Sequence, residues 1–332
     1  MTQNQLPPLK LRIFAAAGLI FLAPFIAEYL LGNIPVTMLW LLPVLALLYG
    51  GGCILIRETA VRLKLGWNSI LILCLAYGIL EEAFYTQSLF DPNYLGLRLL
   101  DYGYISNLGI GSWWTVYVLG LHIIWSTAVP IGLIEYLSPK TRKQPFLGKS
   151  GFIIAAVLFL LVCILPFVWR EGDQFMASTW QFIFSLIAVV LLIAVAVMIG
   201  RMKKTETTTT RRIPGKIITG MISFLLSSAW MAMTFLMKTI PPGLNVAGMF
   251  LFFTIGCVLF WYWSNSSGWS GKHSLALIGG LLLTYIWHGF VQFPAVGSLT
   301  RLTDAIGNII FSCIAILLFS IAWRHTKNIK TN

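Results

Sequence analysis

Glu81 and Glu82 sit side by side in SILILCLAYGILEEAFYTQSLFD (Ser69–Asp91), a run otherwise apolar and long enough to cross a bilayer. An ionisable side chain at that depth costs at least about 2.5–3.5 kcal/mol on insertion scales, and it faces a partner or a cavity rather than lipid. A buried carboxylate can take a proton from water as a general base. His122, in LGLHIIWSTAVP, and His288, in YIWHGFVQFP, lie in other apolar runs. A neutral imidazole can orient that water or hydrogen-bond a developing oxyanion. Glu81, Glu82, His122 and His288 therefore suit hydrolysis of an amide bond inside the membrane. The same side chains are ordinary ligands for a divalent metal such as zinc, and they also suit a proton relay in a transporter. The residues alone leave open whether a metal is present.

The elements that must position them are membrane helices. The chain is 58% apolar and 10% charged, whereas soluble domains carry about 25% charged residues. The fold class is all-α, a polytopic transmembrane bundle. Spans of about 20 apolar residues fall near 12–31, 37–56, 69–90, 114–137, 151–169, 179–200, 217–238, 245–264, 274–292 and 304–323. The first run follows Lys10 and Arg12 and has no small-x-small cleavage pattern after it, so it reads as a retained anchor. At 1.5 Å per residue, Glu81, His122 and His288 lie at similar depth in the outer half. Glu81, Tyr85 and Ser88 share one helix face, Glu82 and Thr86 a neighbouring stripe. Consecutive residues point about 100° apart on a helix of 3.6 residues per turn, so one glutamate is expected to face a cavity and the other an adjacent helix. Tyr77 and Tyr85 are candidate partners. Gly78 would admit a close helix approach. Gln292 reads as a helix-end cap. Glu28 and Glu135 lie near helix ends, where an interfacial partner is easy to find. Arg57, Glu58 and Arg62 read as a solvated ion pair at the inner surface. Pro43, Pro130 and Pro166 are expected to kink their helices.

With the N-terminus in the cytoplasm, all of the 23 basic residues except Arg98, Arg170, Lys238 and Arg301 fall in inside segments. That is the positive-inside pattern, and it puts both termini in the cytoplasm of a multi-pass cell-membrane protein. The net charge of +12 is thus a matter of topology. The partner is the lipid bilayer, and nucleic acid is excluded because no basic stretch exceeds a short loop. Trp113, Trp114, Trp169 and Trp180 mark the outer interface, and Trp67, Trp269 and Trp323 the inner one. Residues 1–332 read as one integral membrane domain, with halves 1–200 and 217–332 joined by a polar linker at 201–216. The outer stretch Asp91–Trp113, rich in glycine and aromatics, reads as a surface loop or a lid. Cys53, Cys74, Cys163, Cys257 and Cys313 each stand alone in a separate apolar run and read as small buried hydrophobes.

Glu81-Glu82, followed by His122 on the next helix and His288 on a later one, resembles the CPBP family of CAAX prenyl endopeptidases and bacteriocin-processing or self-immunity membrane proteins. Its pattern is E-E-x-x-x-R, F-x-x-x-H and H-x-x-x-N/D on separate helices. The resemblance implies an intramembrane endopeptidase, or an inactive relative, acting on a membrane-embedded peptide. It implies that Glu81 activates water, that Glu82 supports it and that His122 and His288 assist. Thr86 stands where that family has Arg, Val118 where it has an aromatic, and Gln292 where it has Asn or Asp. A proton-coupled permease and a non-catalytic interaction protein are the alternatives.

Overall fold

A computed structural model describes residues 6–168, 175–202 and 210–326. Among them are ten helices long and apolar enough to cross a membrane. They are α1 (Leu9–Leu30), α2 (Val36–Arg62), α3 (Trp67–Tyr85), α4 (Ser112–Leu137), α5 (Lys149–Val168), α6 (Thr179–Arg201), α7 (Lys216–Leu236), α8 (Pro242–Ser264), α9 (Gly271–Val291) and α10 (Arg301–His325). The all-α expectation holds, and each predicted span has its helix. Trp169, Arg170 and the middle of the expected linker, 203–209, lie outside the described residues.

The chain divides into two compact units. The first comprises Met1–Tyr29, Thr37–Gln87 and Leu119–Met202. Its core joins α1 through Ala15, Leu19 and Ala23, α2 through Cys53 and Ile54, α3 through Cys74 and Tyr77, and α4 through Ile131 and Ile134. Small residues on these faces let backbones approach, the usual way that membrane helices gain packing contacts when lipid is as apolar as leucine. Gly78 is where this matters most. A Cβ there would lie 2.9 Å from the Cβ of His122 and 3.3 Å from Leu119, so only glycine lets α3 lie this close to α4.

The first unit holds a buried charged network where a solvated pair was expected. Arg57 and Glu58 are not solvated; they are 1% and 0% exposed. The Arg57 guanidinium pairs with Glu58 at 3.1 Å and with Glu135 at 2.8 Å, donates to the Gln144 carbonyl at 3.0 Å, and stacks 3.2 Å over the Phe146 ring. Glu58 in turn accepts the backbone N–H of Phe146 at 2.6 Å and pairs with Arg62 at 3.0 Å. Arg12 donates to the carbonyls of Pro145 and Phe146 at 3.0 and 3.1 Å. The loop between α4 and α5 is thereby clamped to α1 and α2 by charges that are each ion-paired or bonded to backbone carbonyls, the condition under which buried ions are tolerated.

The second unit comprises Leu30–Val36, Ser88–Val118 and Lys203–Asn332. Its central contact is α7 on α9. A Cβ at Gly280 would lie 2.5 Å from the Gly220 carbonyl oxygen. Ser227 and Thr284 share a hydrogen bond at 2.6 Å, Ser223 donates to the Leu277 carbonyl at 2.8 Å, and the Trp287 indole donates to Ser228 at 2.8 Å. Hydroxyls bridging helices in this way satisfy themselves where lipid offers no partner. The stretch Asp91–Trp113, expected as a loop or lid, contains a short hairpin, with β1 (Tyr104–Ile105) antiparallel to β2 (Ile110–Gly111). Its Tyr104, Ile105 and Leu108 are exposed.

Cys53, Cys74 and Cys163 are buried as expected, but Cys257 and Cys313 lie on the outer faces of α8 and α10. In an apolar solvent an exposed thiol on a helix is as well placed as a buried one.

Candidate functional site

Four helices of the first unit each open into one π-helical stretch. The π-helical stretches among the described residues are Phe25–Leu30 in α1, Ala46–Gly50 in α2, Glu81–Tyr85 in α3 and His122–Ala128 in α4. Each carries a polar side chain of one cluster: Glu28, Tyr49, the Glu81–Glu82 pair and His122. A widened turn costs hydrogen-bond geometry and occurs mostly where function asks for it.

Local sequence explains part of this. Pro130 has no N–H, so the Ser126 carbonyl four residues earlier loses its α-helical donor. Cys53 donates its thiol to that carbonyl at 3.2 Å instead. Thr127 turns its hydroxyl back to the His122 carbonyl, and the Thr86 N–H reaches the Glu81 carbonyl at 2.9 Å, five residues back. Pro24 and Pro43 precede the other two wide stretches.

Both glutamates reach α4, and they meet opposite edges of one imidazole. His122 Nε2 lies 2.6 Å from Glu82 Oε1, and His122 Nδ1 lies 3.2 Å from Glu81 Oε2. The imidazole is gripped edge to edge between two carboxyl groups. Thr86 donates to the second oxygen of Glu82 at 2.8 Å, as the shared stripe implied. The Tyr49 ring stacks on His122 at 6.0 Å, and the Tyr77 ring meets it edge-on at 6.0 Å. Glu81, Glu82 and His122 are 1%, 5% and 3% exposed.

These contacts differ in quality. The Glu82–His122 contact is a hydrogen bond, whereas the Glu81–His122 contact is not. Both oxygens of Glu81, His122 Nδ1 and the Tyr77 hydroxyl are buried without a hydrogen-bond partner, although the hydroxyls of Tyr77 and Tyr49 are turned toward Glu81. A buried polar group left so costs about 1–3 kcal/mol, and more when charged. One ligand atom from each of Glu81, Glu82 and His122 can be chosen so that all lie within 4.8 Å of one another.

The structure thus brings together Glu81, Glu82, His122 and Thr86 in the first unit. Tyr85 ends α3 half-buried and packs on the hydrophobic core. Ser88 lies beyond the end of α3, off the face it was expected to share, and accepts the Trp114 indole N–H at 3.0 Å. His288 and Gln292 belong to the second unit. His288 is 2% exposed and packs against Phe235 and Trp287. Gln292 follows the last residue of α9, and its backbone N–H donates to the His288 carbonyl at 2.8 Å.

Glu28 and Tyr49 are the residues that sequence reasoning missed. Glu28 is no snorkelling residue: the Tyr49 hydroxyl donates to its carboxylate in a very short contact. A carboxylate four residues after Pro24, where the helix is liable to open, was the signal available.

A profile search places the chain. Residues 19–327 match an uncharacterized membrane protein family. The chain belongs to that family. No curated protein and no solved structure matches it. Membership makes it a membrane protein, and its ten candidate spans are consistent with multiple crossings.

Proposed function

We propose that the chain is an intramembrane hydrolase that cleaves a membrane-embedded peptide in the cell membrane, as its resemblance to CPBP endopeptidases implies. The observation that carries this reading is Glu81: a fully buried carboxylate with both oxygens unengaged, next to an imidazole whose far nitrogen is already held by Glu82. Such a carboxylate keeps acceptor capacity that no well-aligned hydrogen bond uses. In the reaction, Glu81 takes a proton from water as the water oxygen bonds to the scissile carbonyl carbon. The C–N bond then breaks, and Glu81 returns the proton to the departing amine. Glu82 fixes the ring of His122, and Thr86 fixes Glu82. A dry surrounding strengthens each of these interactions.

The test is a reporter with a cleavable transmembrane segment, expressed beside the wild-type chain and Glu81→Gln. Cleavage by the wild type and its loss in the variant, at equal membrane levels of both proteins, supports the assignment. Normal cleavage by the variant overturns it. The Glu28–Tyr49 contact beside Glu81 favours a second reading, an acidic proton path in a permease. Proton-coupled uptake in proteoliposomes that Glu81→Gln abolishes would promote that reading over hydrolysis.

A further inference from the structure

We infer that Tyr49 and Glu28 form a proton exit for the site, passing the proton left by each turnover from Glu81 to the end of α1. The exit rests on the hydrolase reading and resets its base. Hydrolysis of an amide leaves an acid and an amine. One proton of the water goes to the amine by way of Glu81. The other stays on the new carboxylic acid, and Glu81, ionised again, takes it as the product departs as a carboxylate. Glu81 is then neutral, and a neutral carboxyl cannot act as base on the next water. Because Glu81 is buried, the proton leaves through side chains, as in the carboxylate relays of other membrane proteins.

Three observations give the route. First, a chain of polar groups starts at the site and crosses helices. Tyr49, on α2, turns its hydroxyl toward Glu81 and donates it to the carboxylate of Glu28 on α1. The phenol is held in place. Its ring stacks on His122 at 6.0 Å and packs in the core with Ala23, Ala27, Cys53 and Tyr77.

Second, the hydrogen bonds point the right way. A phenol has one proton and two lone pairs. With its proton given to Glu28, Tyr49 offers Glu81 lone pairs alone. An ionised Glu81 gains no hydrogen bond from it, in keeping with two oxygens that lack one. A protonated Glu81 can donate. The transfer then balances: the Glu81 O–H bond breaks as its proton bonds to Tyr49 Oη, and the Tyr49 O–H bond breaks as its proton bonds to Glu28. Tyr49 ends neutral, Glu81 ionised and Glu28 protonated.

Third, exposure rises along the route. Glu81 and Tyr49 are buried, whereas Glu28 is half-buried and near the end of α1. From there the proton passes to water at the membrane surface. Tyr77, Glu82 and His122, which also stand against Glu81, are buried. His122 leads on to Glu82, whose second oxygen is taken by Thr86.

The test measures cleavage of a fluorogenic membrane-embedded peptide by purified full-length protein in proteoliposomes, equilibrated at the assay pH. Protein in excess reads the first turnover, and substrate in excess reads the steady state. The variants are Glu28→Gln and Tyr49→Phe, each checked for folding by thermal unfolding. A glutamine still accepts the Tyr49 hydrogen bond but takes no proton, so it keeps the contact and breaks the path. Both variants should match the wild type in the first turnover and fall about 100-fold in the steady state, the scale of a lost proton-transfer group. Tyr49→Phe decides the matter where Glu28→Gln does not fold. A steady-state rate equal to the wild type's overturns the exit. So does an equal loss in both regimes, which assigns the pair to the fold or to the chemical step. A wild type that cleaves nothing removes the hydrolase and the exit with it. A wild type that cleaves, with Glu81→Gln inactive and Glu28→Gln unaltered, removes the exit alone.

Discussion

The residue proposed to take the proton from water is also the one that the fold does least to satisfy. Glu82 is held on both sides, by His122 at 2.6 Å and Thr86 at 2.8 Å. Glu81, one position away, has neither oxygen bonded. Under the proposed hydrolysis, that contrast has Glu82 position the imidazole and Glu81 take the proton. It follows that Thr86→Val should lower turnover by about 10–100-fold, the usual cost of losing an outer-shell partner, while the unfolding temperature stays within a few degrees of the wild type. Equal turnover in Thr86→Val would show that Glu82 needs no second anchor. Tyr49→Phe keeps the ring stacked on His122 and removes only the hydroxyl that Glu28 accepts. Reduced turnover in that variant would draw Glu28 into the reaction, and an unchanged rate would leave Glu28–Tyr49 a structural bond between α1 and α2.

At the scale of elements, the site depends on one close approach and on irregular turns. Adding even a methyl group at Gly78 collides with the Cβ of His122 at 2.9 Å. Overpacking of this kind costs about 1–3 kcal/mol, so Gly78→Ala should lower the unfolding temperature and Gly78→Leu should lower it further and abolish turnover. Pro130→Ala acts in the other direction. It restores an N–H for the Ser126 carbonyl, removes the need for the Cys53 donor, and favours a regular α4. Its expected signature is higher thermal stability with lower turnover, the trade expected when strain serves a site. The ten spans were legible because apolar length is a strong signal, and Glu81, Glu82, His122 and Thr86 were legible as polar groups at a depth that penalises them. The π-helical turns were not. Regular 3.6-residue spacing sent Glu81 and Glu82 to different neighbours, whereas the two carboxylates meet opposite nitrogens of the one His122 ring. Arg57–Glu58 looked solvated because the pair lies at a helix end; what buries it is the fold of the loop that follows α4, which periodicity does not describe.

On the scale of the whole molecule, helices divide by surroundings. Of its most apolar window α4, which carries His122, has 83% buried within the protein, whereas α8 has 11%. Helices such as α8 present Leu244, Phe250, Leu251 and Val258 outward, toward lipid. The buried ion network at the inner ends of α1, α2 and α4 is the fastening of the first unit. Removing one partner of such a network leaves a charge stranded at about 3–5 kcal/mol, so Arg57→Ala should abolish accumulation of folded protein, read by fluorescence-detected size exclusion. Folded Arg57→Ala at wild-type levels would mean that the loop docks without it. The distribution of basic residues predicts both termini in the cytoplasm, and reporter fusions at either end test this: activity is expected only on that side, and activity on the other side would overturn the topology.

The account rests on Glu81 and His122 working as one unit on a single water. Its most direct test is cleavage of a membrane-embedded fluorogenic peptide by purified protein in proteoliposomes, comparing Glu81→Gln, His122→Ala and the two combined. Residues of one catalytic unit are strongly non-additive, so each single change should remove nearly all activity and the double variant should be no slower than the worse single one. Independent, multiplying losses, or a Glu81→Gln protein that cleaves at the wild-type rate, would contradict it.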